Sequence, residues 1–125
     1  MGNLLLVCLG GGAGSGARYL LANWVNERSG SAFAWGTVAV NVLGSFALAF
    51  LVQLASMSAS FSPQLRLALT TGFLGGFTTY STFNQDTLAA WQRGEHGLAV
   101  LNVLVTVIVC LAAGLGGQAA ARALV

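Results

Sequence analysis

The sequence predicts an all-α membrane protein with four transmembrane helices, and three observations carry that fold class. Of 125 residues, 56% are hydrophobic and only 6% are charged, and the apolar residues gather into four long runs. A mean hydropathy of +0.78 leaves too little polar surface to solvate a soluble domain. A helix needs about 20 apolar residues to cross the hydrocarbon core of a bilayer. Stretches of about 4–25, 33–57, 65–91 and 98–124 meet that length and fill one domain over residues 1–125.

The ionisable side chains are five arginines, no lysine, Glu27, Asp86, Glu95 and His96. That inventory is too small for most acid/base or metal chemistry, so an enzyme is not expected. The arginines stand singly rather than as a cationic face able to neutralise phosphates, which removes nucleic acid as a partner.

The first run follows an N-terminus without a basic segment and continues past the length of a secretory signal, so it is expected to stay in the mature protein. Gly10 and Gly14, Gly12 and Gly16, and later Gly72 and Gly76 are each four apart. This spacing lets helix backbones approach closely in lipid. Gly12 to Ala17 also fits a dinucleotide-binding G-x-G-x-x-A pattern, but no acid follows at the required distance and no strand and helix alternation exists. Arg18 lies about two thirds of the way along the run, where an unpaired charge costs several kcal/mol. Two readings are open: its stem snorkels to the interface, or its charge lines a wet vestibule that concentrates anions. Cys8, like Cys110 in the last run, reads as a small buried hydrophobe rather than a disulfide partner.

Asn26 to Ser31 carries turn chemistry and closes the first helix. In the second run Asn41 has Thr37 one turn before it and Ser45 one turn after, on one face. Its amide must find partners in hydrocarbon, either across to another helix or on a permeating anion. Ser58 to Pro63 forms the next connection, and Pro63 fits the first position of a helix, where its missing N–H is harmless.

The third run is apolar in its first half and dense in hydroxyls in its second, through Thr78-Thr79-Tyr80-Ser81-Thr82. Gly75 and Gly76 weaken helix continuity near its centre, and the neighbouring threonines can rebond freed backbone groups. A broken helix is therefore predicted there, its non-helical backbone lining a cavity and its free carbonyls able to coordinate a cation. Tyr80 and Phe83 share a helical face, and an aromatic ring is electropositive at its edge. Such a pair serves either as packing or as a charge-free contact for an anion. Arg93 to Gly97 ends the run, and Asn102, Thr106 and Cys110 then recur every four residues along the last helix. That stripe bonds to a neighbouring helix or continues a polar track. Hydrogen-bond donors, one intramembrane arginine and no acid in the first two spans point to an anion pathway.

With four spans, the positive-inside rule compares Arg66 and Arg122 with Arg28 and Arg93, two against two. No orientation is favoured, so an antiparallel dual-topology homodimer is expected. Four short spans cannot easily enclose a polar path alone, whereas two copies can line one between them.

Gly14-Ser15-Gly16-Ala17-Arg18-Tyr19, Gly36-Thr37-Val38-Ala39-Val40-Asn41 and Thr71-Gly72-Phe73-Leu74-Gly75-Gly76-Phe77-Thr78-Thr79-Tyr80-Ser81-Thr82-Phe83 together resemble the Fluc (CrcB-type) fluoride channels of microorganisms. The resemblance covers essentially the whole chain, and its third motif is highly specific. It implies a fluoride-selective channel that exports fluoride passively across the cytoplasmic (inner) membrane and gives fluoride resistance. It also implies an antiparallel pair with two pores, each lined by both copies and surrounded by membrane lipid. Carried over by residue, Asn41 is the pore asparagine and Tyr80 and Phe83 are the aromatic box. Ser81, Thr82 and Thr106 continue the polar track, and Arg18 faces the vestibule. The backbone carbonyls of Gly75 and Thr78, from both copies, hold a structural sodium ion. Two departures stand out: Tyr80 occupies a position that is commonly Phe, and Cys110 stands where a stronger donor is expected.

The rival is a small dual-topology, proton-coupled exporter of organic cations. It requires a membrane-embedded carboxylate. The first span offers Arg18 instead, and the only candidate acid, Asp86, lies toward the outer part of the third.

Overall fold

A computed structural model describes residues 1–59 and 61–124, and among them the regular structure is helical throughout. Among the described residues, three helices are long and apolar enough to cross a membrane: α1 (Gly2–Ser29), α2 (Trp35–Met57) and α6 (His96–Ala123). The third apolar run is in pieces. It begins as α3 (Pro63–Leu67), widens into a π-helical segment (Ala68–Leu74), and makes one further turn, α4 (Gly75–Phe77). Thr78 and Thr79 are then extended, with φ/ψ of −84°/157° and −150°/121°, before α5 (Tyr80–Gln92) begins. Chain and membrane chemistry agree on a multi-pass membrane protein.

The connections follow local chemistry. Gly30 takes φ 57° beyond the end of α1, and Gly94 takes φ 80° beyond α5, a conformation that L side chains resist. Ser62 caps α3, its hydroxyl accepting from the Leu65 amide at 3.1 Å, with Pro63 at the first helical position. Asn26 ties α1 to α2 by accepting from the Gly36 amide at 2.8 Å.

Glycine decides how closely the helices approach. A Cβ on Gly10 would lie 2.6 Å from the Ala68 carbonyl oxygen, and one on Gly76 would lie 2.5 Å from that of Gly11. Gly14 meets the Phe73 carbonyl in the same way, so α1 and the third run touch backbone to backbone. Gly12 and Gly16 share the four-residue spacing but face nothing within 4 Å among the described residues. Spacing identifies a helix face, not the face that has a neighbour. Gly117 meets the Phe46 backbone where α6 packs along α2, and Gly44 seats the Thr78 methyl against α2. Val40, Leu74 and Phe77 form the buried apolar centre.

The sequence places the helix interruption at Gly75 and Gly76, whereas these two residues lie inside the turn of α4. The extended residues are Thr78 and Thr79. Gly76 serves close approach to Gly11, and side chains, not glycine flexibility, divert the backbone a few residues on.

Candidate ion path

Asn41 on α2 reaches the extended segment with both ends of its amide. Its Nδ2 donates to the Thr79 carbonyl at 2.9 Å, and its Oδ1 accepts from the Thr79 amide at 2.8 Å. One Nδ2 hydrogen remains uncommitted, because a primary amide carries two. Thr79 then caps α5: its hydroxyl accepts from the Thr82 amide at 3.2 Å and donates to the Thr82 hydroxyl at 3.1 Å. Thr78 bonds back to the Leu74 carbonyl through both its amide and its hydroxyl, each at 3.0 Å.

Around this clamp lies an open groove of about 420 Å³ between α2, the extended segment, α5 and α6. Asn41, Ser45, Thr78, Thr79, Tyr80, Phe83, Thr106 and Cys110 line it, with Val107 and Leu111 on its apolar side. None of these carries a formal charge. The groove therefore offers hydroxyls, an amide, a thiol and ring edges. Tyr80 and Phe83 meet edge to face, centroids 5.5 Å apart and planes at 69°. Phe83 is buried, while Tyr80 is 78% exposed and forms the open rim. Thr106 is buried, and its hydroxyl has no partner among the described residues. A buried orphan hydroxyl costs about 1–3 kcal/mol, so it is a donor in want of an acceptor.

The groove thus gathers Asn41, Tyr80, Phe83, Thr106 and Thr78 from the expected residues. It leaves out Ser81, Thr82, Arg18 and Gly75. Ser81 is exposed, 3.4 Å from the Thr79 hydroxyl, and Thr82 completes the cap. Arg18 donates its Nε to the Gly76 carbonyl at 3.2 Å. The Ser15 hydroxyl shares that carbonyl at 3.5 Å. Gly75 is exposed on the chain's surface.

Two side chains enter the groove that residue spacing did not single out as path residues, Thr79 and Ser45, and Asp86 forms a link outside it. Thr79 was recognisable as a hydroxyl able to rebond backbone, and Ser45 as the next turn of the Asn41 face. Asp86 accepts from the Thr37 hydroxyl at 2.8 Å, a pairing 49 positions apart with no local signal. Beyond Phe83, Asn102 donates to the Thr87 hydroxyl at 2.9 Å, which donates in turn to the Phe83 carbonyl at 2.9 Å. Asn102 and Asp86 line a second, smaller cavity of about 130 Å³ with Phe33 and Arg93.

A helical membrane protein whose polar groups converge on an interrupted span, with no carboxylate in the main groove, falls in the class of membrane transport proteins. Comparison with known proteins narrows the class to one family. The family described as CrcB-like protein, Camphor Resistance (CrcB), matches residues 5–118, and the chain belongs to it. Among its relatives is a protein of Geobacter sulfurreducens, 46% identical over 124 residues, covering 99% of this chain and 100% of the relative. One from Anaeromyxobacter dehalogenans is 50% identical over 113 residues, 90% of each chain. One from Sorangium cellulosum is 45% identical over 117 residues, 94% of this chain and 92% of the other. All three are named "Fluoride-specific ion channel FluC".

Proposed function

We propose that this chain is a fluoride-selective ion channel that lets fluoride leave the cell passively across the cytoplasmic membrane. The observation that carries the proposal is the groove around Asn41: uncharged donors and aromatic ring edges converge there, and no acid does. Fluoride is small and strongly hydrated, so a path must replace water with closely placed donors. The free Asn41 hydrogen, the orphan Thr106 hydroxyl and the electropositive edges of Tyr80 and Phe83 supply that replacement. Ser81 and Thr82 extend the polar surface outward, and Arg18 adds a positive charge near the Gly76 carbonyl that favours an anion. The names carried by the relatives support fluoride as the ion.

In the bilayer the third run crosses as a broken helix, and two copies of opposite orientation enclose what one copy leaves open. The exposed ring of Tyr80 and the exposed Gly75 support a partner copy on that side. Lipid surrounds the pair. Gly75 and Thr78 fit a sodium ion held at the dimer centre: their carbonyls are hard oxygen ligands, and the amides that would pair with them in a continuous helix are bonded to side chains. The ion would supply a positive charge shared between the backbone carbonyls of the two copies. The organic-cation exporter is disfavoured because Asp86 lies outside the Asn41 groove, its carboxylate bonded to Thr37.

A C-terminal reporter fusion produced in a bacterium lacking its own fluoride export tests function and topology together. Growth in millimolar fluoride should be restored, with comparable reporter fractions on the two sides of the membrane, and one added arginine in a connection should tilt the ratio. No rescue by a membrane-inserted fusion would refute the channel, and a single orientation would refute dual topology.

A further inference from the structure

The interruption in the third run is built by side chains, one of which belongs to another helix. In a continuous helix the Thr79 amide would donate to the Gly75 carbonyl, and the Thr82 amide to the Thr78 carbonyl. Here the first amide is taken by Asn41 Oδ1 at 2.8 Å, and the second by Thr79 Oγ1 at 3.2 Å. The second substitution depends on the first. Thr79 caps α5 only in its extended conformation, φ −150° and ψ 121°, and Asn41 holds both polar groups of that residue's backbone. The intervening Gly76 carbonyl is occupied by Arg18 and Ser15. Of the carbonyls at the interruption, those of Gly75 and Thr78 are thus two whose helical donors are bonded to side chains instead.

We propose that Asn41 is the positioning residue that keeps the Gly75 and Thr78 carbonyls open to a cation, so that the cation site and the anion groove are coupled through one side chain. The proposal rests on the sodium assignment made above. Asn41 Oδ1 serves the cation side by holding the Thr79 amide away from Gly75, and the uncommitted Nδ2 hydrogen serves the groove. Two ligands that bias one clamp must influence each other's affinity by the same factor.

The test is the unfolding temperature of the purified, full-length protein against sodium concentration, with ionic strength held by a large organic cation that no carbonyl cage admits. The wild type should show a sodium midpoint. Asn41→Ala frees the Thr79 amide to return to Gly75, and should raise the midpoint about tenfold or more, the scale of one to two hydrogen bonds. Asn41→Asp keeps the acceptor for the Thr79 amide but loses the donor to the Thr79 carbonyl and to the groove, so its midpoint should lie between those of the wild type and Asn41→Ala while fluoride flux falls. Phe83→Ile alters the same groove without touching the clamp, and should leave the midpoint within about twofold.

A wild type indifferent to sodium would overturn the cation assignment and the coupling with it. A sodium-dependent wild type whose Asn41→Ala midpoint is unchanged would overturn the coupling alone. If Asn41→Ala yields no folded protein, the wild type decides: saturating fluoride must shift the sodium midpoint, and an unmoved midpoint overturns the proposal.

Discussion

Phe83→Ile is expected to lower fluoride flux about tenfold or more while leaving an assembled, folded protein. The ring is buried and meets Tyr80 edge to face at 5.5 Å. Isoleucine keeps apolar bulk, so repacking costs about 1–2 kcal/mol. What it removes is the electropositive edge, and a loss of about 1.4 kcal/mol at a barrier is tenfold in rate. Tyr80→Phe is the paired measurement. It retains the ring edge and deletes a hydroxyl, so flux should change little. If Phe83→Ile conducts normally, Phe83 is packing and leaves the path. If Tyr80→Phe abolishes flux, the hydroxyl itself binds the ion, and tyrosine at this position is a functional substitution.

Gly14→Ala should be the most damaging single-methyl change in the first helix, costing about 3 kcal/mol, because the added Cβ overlaps the Phe73 carbonyl and neither backbone can yield. Gly12→Ala, two residues earlier, meets nothing within 4 Å among the described residues. It should leave the fold of the chain unchanged, so any effect would arise from contacts outside it. Unfolding temperatures of the two variants in one detergent compare them directly. Equal destabilisation would show that helix flexibility, not backbone approach, sets the glycine requirement.

The contrast between Gly12 and Gly14 marks where the sequence stops being informative. Long apolar runs and their breakers could be read directly, because a bilayer imposes length and a turn imposes residue type. Ser62-Pro63 and Gly30 occupy the positions their local chemistry predicts. Partners distant in the chain could not be read. Arg18 finds the Gly76 carbonyl 58 positions away, and Thr37 finds Asp86 49 positions away. The interruption of the third run was anticipated at Gly75 and Gly76 because glycine is the residue that weakens helices in general. It falls instead at Thr78 and Thr79, where Asn41 offers the backbone a better partner than the helix does. Residue types near the path were legible from spacing, since Asn41, Phe83 and Thr106 each interrupt an apolar face. Their convergence on one groove depends on how α2 packs along α6, which no single helix encodes.

The most direct measurement is the reversal potential of the purified protein in a planar bilayer with opposing fluoride and chloride gradients. A groove of closely placed donors and ring edges, without a carboxylate, predicts a current that reverses near the fluoride equilibrium potential and disregards chloride and guanidinium. A current that follows chloride equally, or that is carried by the cation, would contradict it.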